Sequence, residues 1–288
     1  MIEPTHYWAF EQAGHFVTIE LQDDKALQET VRQSLGDMPF QVVSEPKGII
    51  LQVKTSADGW SIIDTDDQQT REVQHAGDLA YFLSDKIIYH FANRITEGHC
   101  LHAACVAKGN NAIIIPANSG HGKSSLTCWL VANGFDYVSD ELVVLSDEHT
   151  LSGIARPLQI KSSGINAIRP LLKDESTMMQ GQIANALPAK AFGGKVTLSS
   201  ELILRLMLFP HYQVEYGYSF ESLKSSLAAM ELMGTHVNAR NLDAHGFKMM
   251  SQTARQIPSY SLKYGGFDHL PTTFVGEIER LIESDKKL

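Results

Sequence analysis

The sequence predicts an α/β fold, with a mixed, partly antiparallel sheet flanked by helices and a small N-terminal α+β unit. The first observation is an apolar, β-branched run at 112–116 that passes into a glycine-rich loop and then into a helical pattern. The second is apolar alternation on both sides of this stretch, which is typical of strands. The third is the strongest helical periodicity of the chain, at 78–96. We expect two domains, at 1–76 and 77–288.

Composition sets the class of protein and excludes several partners. Of 288 residues, 43% are hydrophobic and 20% are charged, which is ordinary for a soluble globular chain. The formal net charge of −9 argues against a nucleic-acid partner, because that role needs clustered Lys and Arg. Charge interrupts the apolar runs before they reach membrane-spanning length, so no membrane partner is expected. The sequence leaves open whether the chain forms a homo-oligomer.

The cysteines and the first residues bear on the compartment. Cys100, Cys105 and Cys128 show no metal-binding spacing, and their odd number disfavours a disulfide framework. The opening Met-Ile-Glu-Pro lacks the basic region of a secretory signal. These features predict a cytoplasmic protein.

The N-terminal unit shows strand and helix patterns but no recognisable chemistry. Strand alternation occurs at 15–21 and 49–55, helical spacing at 24–35, and a hairpin partner for the second strand at 60–64. The acidic run at 64–67 is interpreted as a solvated turn rather than a metal site.

The next elements lead to a histidine beside the loop. The helix at 78–96 is expected to pack under the sheet, and His90 on it is interpreted as a packing residue. Its apolar stripe consists of Leu79, Leu83, Ile87, Phe91 and Ile95. A strand at 101–107 carries His102, and a turn at 109–111 returns the chain as a hairpin into the strand of the loop. His102 is therefore expected on the strand next to the loop.

The glycine-rich loop at 117–124 reads Ala-Asn-Ser-Gly-His-Gly-Lys-Ser and nearly completes a Walker A motif. Gly120 and Gly122 let backbone N–H groups converge on a phosphate, and the following helix adds its unpaired first-turn amides. Lys123 is expected to reach the β- and γ-phosphates of ATP, and the Ser124 hydroxyl to bind Mg²⁺. The predicted nucleotide-binding residues are Asn118, Ser119, Gly120, His121, Gly122, Lys123, Ser124 and Ser125.

The setting of the motif favours this prediction over a chance glycine-rich turn. A strand precedes the loop, a helical pattern follows it, and Asn133-Gly134 ends that helix as a C-cap pair does. Ala117 replaces the usual first glycine. We expect this change to be tolerated, because the two later glycines make the close approach to the phosphates.

An adjacent acidic pair follows the predicted helix. Asp140 and Glu141 come soon after Lys123 and are placed at the start of a strand at 142–145. Two neighbouring acids can divide between orienting Mg²⁺ and accepting the proton of an attacking hydroxyl. The alternative is an exposed acidic pair at a strand edge.

These motifs together resemble HPr kinase/phosphorylase and its relatives, bacterial P-loop kinases that phosphorylate a serine hydroxyl on a protein. The loop is similar to the family's Asp-Ser-Gly-x-Gly-Lys-Ser, with Asn118 in place of the aspartate. Gly134 falls on the family's helix-ending glycine, and Ser-Asp-Glu at 139–141 falls on its Ala-Asp-Asp. His102, in Leu-His-Ala-Ala, stands where the family keeps its catalytic His-Gly.

A second part of the resemblance lies further along the chain. Arg-Pro-Leu-Gln-Ile, which begins at Arg156, is similar to the family's Arg-Gly-Leu-Gly-Ile, although both glycines are replaced. This segment and a later Leu-Phe-Pro-His-Tyr resemble the sequences of HPr-kinase-related proteins of biosynthetic clusters more closely than that of HPr kinase itself. The resemblance covers about 99–165 and implies an HPr kinase/PEP carboxykinase-like fold.

The resemblance also implies roles for individual residues. The residues implied as catalytic are His102, Lys123, Asp140 and Arg156. Those implied as Mg²⁺ ligands are Ser124, Glu141 and Asp140. The favoured assignment makes Asp140 the base and Glu141 the metal ligand, and the reverse is left open.

Further basic residues are candidates for neutralising charge on the transferred phosphoryl group. Lys161 belongs to the family-like signature, whereas Lys190 and Lys195 lie in a segment at 178–200 that is rich in small residues. We interpret this segment as a mobile loop that closes over substrate.

The remainder of the chain completes and covers the sheet. A buried strand is predicted at 201–209, ending at Pro210, and a second strand at 260–264. Helices are predicted at 220–233 and 244–256, followed by an amphipathic C-terminal helix.

The sequence as a whole predicts an ATP- and Mg²⁺-dependent kinase that transfers the γ-phosphoryl group to a hydroxyl, on a serine of a peptide or protein. One alternative is a nucleotide-dependent switch or assembly ATPase, which needs Lys123 and Ser124 but no phosphoacceptor and no His102. Another is a small-molecule kinase. A carboxykinase-like enzyme would need a further His and Lys metal constellation, which has no counterpart in the sequence pattern.

Overall fold

The computed structural model describes residues 5–118, 120–199 and 201–284. Within these ranges the chain is a mixed α/β protein that divides into two compact units. The segments of the first unit are the chain up to Ile95, Arg156–Ser163 and Ser176–Pro188. Those of the second unit are Thr96–Ala155, Gly164–Glu175 and the chain from Ala189 onward.

Seven α-helices and sixteen strands are formed by the described residues. The helices are α1 (Lys25–Leu35), α2 (Ala76–Arg94), α3 (Lys123–Ala132), α4 (Ile165–Ile168), α5 (Ser225–Gly234), α6 (Phe247–Gln256) and α7 (Phe274–Glu283). The strands are β1 (Thr5–Gln12), β2 (His15–Gln22), β3 (Gln41–Val43), β4 (Ile49–Ser56), β5 (Gly59–Asp64), β6 (Gln69–Val73), β7 (His99–Lys108), β8 (Asn111–Pro116), β9 (Asp136–Ser139), β10 (Leu142–Leu145), β11 (Thr150–Gly153), β12 (Leu158–Ile160), β13 (Asn185–Leu187), β14 (Leu202–Tyr212), β15 (Tyr218–Ser222) and β16 (Ser259–Tyr264). Among these helices, each is too short or too polar to cross a bilayer.

One six-stranded sheet, in the order β3-β1-β2-β4-β5-β6, forms most of the first unit. β1 and β2 make an antiparallel hairpin, whereas β4 runs parallel to β2, because α1 carries the chain across between them. Asp24 begins α1 by accepting the backbone N–H groups of Ala26 and Leu27. The predicted strands and helix of this unit are confirmed as β2, β4, β5 and α1, whereas β1, β3 and β6 were not predicted.

Helix α2 groups with the first unit, although the expected division placed it at the start of the second domain. Its predicted stripe is confirmed as buried, from Leu79 to Ile95. The helix packs against α1, β2 and β13, all of which belong to the first unit. A helix joins the sheet on which its apolar stripe is buried, and no local pattern in the sequence indicates which sheet that is.

The segment predicted as a mobile loop, at 178–200, is packed where the structure describes it. The N–H of Gly77 donates to the carbonyl of Gln180 (2.8 Å), and Asp78 accepts the N–H groups of Gln182 and Ile183 (3.0 and 2.9 Å). β13 pairs with β12, and Ala186 and Leu187 of β13 are buried. The mobility of the segment and its closure over substrate stay a prediction.

The second unit is built on an eight-stranded mixed sheet, in the order β11-β10-β7-β8-β14-β16-β15, with β9 also paired to β7. β7 and β8 form the predicted antiparallel hairpin, and β14 runs parallel to both β8 and β16. β8 therefore lies in the middle of the sheet, and its end delivers the chain into the glycine-rich loop and α3.

Two predictions about the later chain are corrected. Phe220 was assigned to a helix, but it lies in strand β15, where its ring stacks on Tyr260 of β16 at 4.7 Å between centroids. Pro210 was expected to end a strand, but β14 continues through it to Tyr212. Both errors come from long-range strand pairing, which no local signal records.

Candidate active site

The glycine loop, defined as residues 117–122, follows β8 and precedes α3; Ser119 lies outside the described residues. Gly120 and Gly122 have φ angles of 92° and 87°, a region that side chains with a Cβ rarely adopt. A Cβ at Gly122 would also lie 2.4 Å from the Tyr264 hydroxyl, whereas a Cβ at Gly120 would meet no described atom within 4 Å. The loop thus has a supported face at Gly122 and an open face at Gly120.

Two tyrosines support the loop from the ends of neighbouring strands. The Tyr264 hydroxyl donates to the Gly122 carbonyl (3.3 Å), and the backbone N–H of Tyr212 donates to the His121 carbonyl (3.3 Å). Burial raises the pKa of Tyr264, so its hydroxyl remains a donor across the physiological range. Sequence reasoning missed both residues, because nothing local to β14 or β16 connects them to the loop.

The first turn of α3 presents its backbone N–H groups beside this loop. Gly122 is the N-cap and has no side chain with which to bond them, and the first intrahelical bond runs from Leu126 N–H to the Gly122 carbonyl (2.8 Å). Ser124 and Ser125 are half-buried in this turn, and Asn118 is exposed at the start of the loop. An uncapped helix N-terminus carries a partial positive charge, which suits an anionic ligand.

Lys123 is buried and is held by oxygens of the turn between β9 and β10. Its Nζ donates to the backbone carbonyl of Asp140 (2.5 Å). It also lies 4.0 Å from Asp140 Oδ1 and 3.8 Å from Glu141 Oε2. The acids were expected on the strand at 142–145, but they occupy the turn before it, and this turn brings both of them to the lysine.

Glu141 connects the lysine to the predicted histidine. Its Oε1 lies 3.0 Å from His102 Nε2, and the Glu141 and His102 side chains are 26% and 33% exposed. β10 pairs with the first half of β7, with Leu142 opposite His102, which places the acid next to the histidine. Lys123, Glu141 and His102 therefore form one continuous polar row that is open to solvent at the histidine.

Asp140 faces the interior instead. It is fully buried. Burial, and next the negative charge of Asp140, raise the pKa of the Cys128 thiol on α3. The two acids therefore differ in what they can reach, because only Glu141 is accessible to a second substrate in this conformation.

Four further basic residues were predicted to neutralise charge on the transferred phosphoryl group. Arg156 is 4% exposed and belongs to the first unit, as does the exposed Lys161. Lys190 and Lys195 are exposed residues of the second unit, and the Lys195 carbonyl accepts the N–H of Tyr137 (2.7 Å). A role for any of the four in charge neutralisation stays a prediction.

The oxygen donors near Lys123 fit Mg²⁺ that is bound together with a substrate. In the described part of the chain, no group of three or more His, Cys, Asp or Glu residues could hold a metal alone. Mg²⁺ is usually bound by one or two carboxylates, substrate phosphates and water. The Ser124 hydroxyl and the carboxylates of Asp140 and Glu141 are hard oxygen donors of this kind.

Comparison with known proteins adds a distant similarity. No protein-family model matches the chain, and neither does any curated protein. Among solved structures, the chain is similar to the Hpr(Ser) kinase/phosphatase from Coxiella burnetii, at 13% sequence identity and a TM-score of 0.28. The match covers 64% of this chain and 87% of that chain.

Proposed function

We propose that this protein is an ATP- and Mg²⁺-dependent kinase that transfers the γ-phosphoryl group to a hydroxyl of a peptide or protein serine. The observation that carries the proposal is the row of Lys123, Glu141 and His102 beside the glycine loop. Phosphoryl transfer needs positioning and charge neutralisation, together with a group that accepts the hydroxyl proton. The row supplies a cation at one end and an accessible carboxylate–imidazole pair at the other.

The nucleotide phosphates would lie on the open face of the loop. The Gly120 backbone leaves room there, and the first-turn amides of α3 supply donors. Lys123 would exchange its contacts with the β9–β10 turn for the β- and γ-phosphates, which are stronger charge-assisted partners. Once Lys123 has moved away from Asp140, that carboxylate and the Ser124 hydroxyl would hold Mg²⁺, which neutralises phosphate charge when it is bound.

The exposure of the two acids supports a different role for each. Sequence reasoning favoured Asp140 as the base, but its carboxylate lies behind Lys123 and is fully buried. We assign the base to Glu141, which accepts the proton of the acceptor hydroxyl. His102 holds the Glu141 carboxylate through the contact at 3.0 Å and stabilises its charge.

Labelled ATP tests the proposal. The protein is incubated with γ-labelled ATP, Mg²⁺ and extract of its own cells, and the expected result is label on a protein or peptide serine. The matched control is His102→Ala, which keeps the glycine loop and Lys123 but removes the imidazole. ATP hydrolysis with no labelled acceptor, at a rate that His102→Ala leaves unchanged, would replace the kinase with a nucleotide-dependent switch.

A further inference from the structure

His102 lies where β7 loses one of its strand partners. On one edge, β10 pairs with the first half of β7, including His102. On the other edge, β8 pairs with β7 only from Ala103 onward, opposite Pro116, because the chain leaves β8 at that point to form the glycine loop. The backbone of His102 therefore needs another partner on this edge.

Residues 235–238, which follow α5, supply that partner. The N–H of His102 donates to the Thr235 carbonyl (2.7 Å), and the N–H of Val237 donates to the Cys100 carbonyl (2.9 Å). Leu101 and His236 form an antiparallel bridge between these two bonds. The segment 235–238 thus replaces β8 beside the residues that lead to His102.

The side chain of Asn238 secures this replacement. Asn238 is fully buried. Its Oδ1 accepts the N–H of Cys100 (2.8 Å), and its Nδ2 donates to the Gly98 carbonyl (3.1 Å). A carboxamide carries its acceptor oxygen and its donor nitrogen on two separate atoms, so a substitution by most other residues would leave a buried backbone group without its bond.

A pair of imidazoles packs the same segment against β7. The rings of His99 and His236 lie 5.1 Å apart between centroids, with Nδ1 of His99 3.4 Å from Nε2 of His236. Burial, and next the neighbouring His99, lower the pKa of His236 to about 4. Burial also lowers the pKa of His99, so both rings are neutral near pH 7 and pack together.

From these contacts we infer that Asn238 is a positioning residue, which holds the backbone of His102 so that its imidazole meets Glu141. The inference rests on the proposed function, in which His102 holds the base. Catalytic groups must be fixed within a fraction of an ångström, and a displacement of about 1 Å costs up to about 10²-fold in rate. A loose edge of β7 would allow such a displacement.

A double-mutant cycle tests the inference through activity. Asn238→Ala should lower kcat by about tenfold or more and leave the KM for ATP unchanged, because the phosphate contacts lie on the glycine loop. In a His102→Ala background the same substitution should cost nothing further. The matched control is Thr253→Val on α6, which removes a buried polar contact between Thr253 and His149 and should destabilise the protein without changing kcat.

Hydrogen exchange of backbone amides tests the same point without any activity. The amides of His102 and Cys100 should exchange faster in Asn238→Ala than in the wild type, whereas that of Val106 should not. Asn238→Leu removes the same two bonds and leaves no cavity, so it should show the same faster exchange, and it serves if the alanine variant does not fold.

The two readouts separate this inference from the proposed function. Wild-type exchange at His102 in both Asn238 variants would overturn the inference, as would equal kcat losses with and without His102. A wild-type protein that labels no acceptor would overturn the proposed function alone, and faster exchange at His102 would then still support the positioning role.

Discussion

Each unit of the molecule contains a histidine in contact with a carboxylate, and the two clusters differ in how they meet solvent. In the first unit, His90 contacts Asp64 at 2.8 Å, and both side chains are 1% exposed. In the second, His102 contacts Glu141 at 3.0 Å, and both are about a quarter to a third exposed. The residue types are alike, so the difference lies in what surrounds them.

The cluster of the first unit is closed by its neighbours. Lys86 donates to Asp64 (2.9 Å) and to Asp67 (3.0 Å). Arg94 donates to His90 Nδ1 (3.0 Å) and to Asp66 (3.0 Å). Because arginine can only donate, His90 Nδ1 accepts, and its Nε2–H is then the donor to Asp64. These bonds fasten α2 to the turn between β5 and β6, which is a structural role.

The cluster of the second unit has one side left open by its neighbours. Lys123 stands at the first turn of α3, beside the open face at Gly120, and Glu141 and His102 reach solvent. Charged groups that can exchange their present contacts for a ligand are suited to chemistry. The two histidine–carboxylate pairs thus differ mainly in the space beside them, which is filled in the first unit and open in the second.

The largest difference between the clusters should appear on removal of the lysine. Lys123→Met removes the cation expected at the β- and γ-phosphates, so kcat/KM for Mg·ATP should fall by about 10³-fold. Lys86→Met removes the lysine of the closed cluster and should leave kcat/KM unchanged. Steady-state kinetics of both variants measure kcat/KM. Equal losses of kcat/KM in the two variants would contradict the proposed difference between the clusters.

The acids of the open cluster give the next effect. Glu141→Gln keeps size and polarity but cannot accept the hydroxyl proton, so kcat should fall by about 10²-fold while ATP affinity changes little. Asp140→Asn should instead mainly raise the KM for Mg·ATP. Separate kcat and KM values for the two variants decide between the assignments, and a kcat loss confined to Asp140→Asn would return the base to that residue.

Removal of the buried acid of the closed cluster should affect stability rather than rate. Asp64→Asn leaves His90 and Lys86 without their buried counter-charge, and we expect the free energy of unfolding to fall by about 3 kcal/mol. The half-exposed Glu141→Gln should cost less, about 1 kcal/mol at most. Urea unfolding of both variants is the measurement. The interpretation of the closed cluster fails if Asp64→Asn is as stable as the wild type.

The smallest expected effect is on the free energy of unfolding at acidic pH. Burial alone would raise the pKa of Asp64, but hydrogen bonds from Lys86 and His90 hold it below its usual value. A carboxyl with a lowered folded pKa contributes stability above its unfolded pKa, near about 4, and loses it as pH falls through the folded pKa. The free energy of unfolding should therefore fall more steeply below about pH 4 in the wild type than in Asp64→Asn. Parallel pH profiles would contradict this.

Sequence reasoning recovered the parts of the site that depend on neighbours along the chain. The glycine loop, the start of α3 and the β7–β8 hairpin each have local signals, and together they put His102 beside the loop. Of the acidic run at 64–67, Asp66 and Asp67 lie in an exposed turn as predicted, whereas Asp64 is buried. Its burial depends on Lys86 and His90, which come from a helix further along the chain.

The parts that were missed depend on contacts between distant segments. Tyr264 supports Gly122 from a strand more than a hundred residues away, and Asn238 reaches the residues before His102 across a similar separation. The burial of Asp140 likewise depends on the packing of α3 over the β9–β10 turn. None of these contacts is indicated by a hydrophobic periodicity or by a motif spacing in the sequence, so only the tertiary structure reveals them.

The first unit is assembled from three separate segments of the chain, and this has a consequence for its synthesis on the ribosome. Helix α2 emerges from the ribosome long before β13, to which its N-terminal turn is bonded through Asp78 and the residues just before that strand. At a translation rate of about 5–20 residues per second, the interval is about 5–20 s. During that time part of the apolar stripe of α2 lacks its final cover, and the nascent chain is exposed to aggregation and to chaperones. A shortened chain that ends before Leu187 should leave this helix permanently in that state.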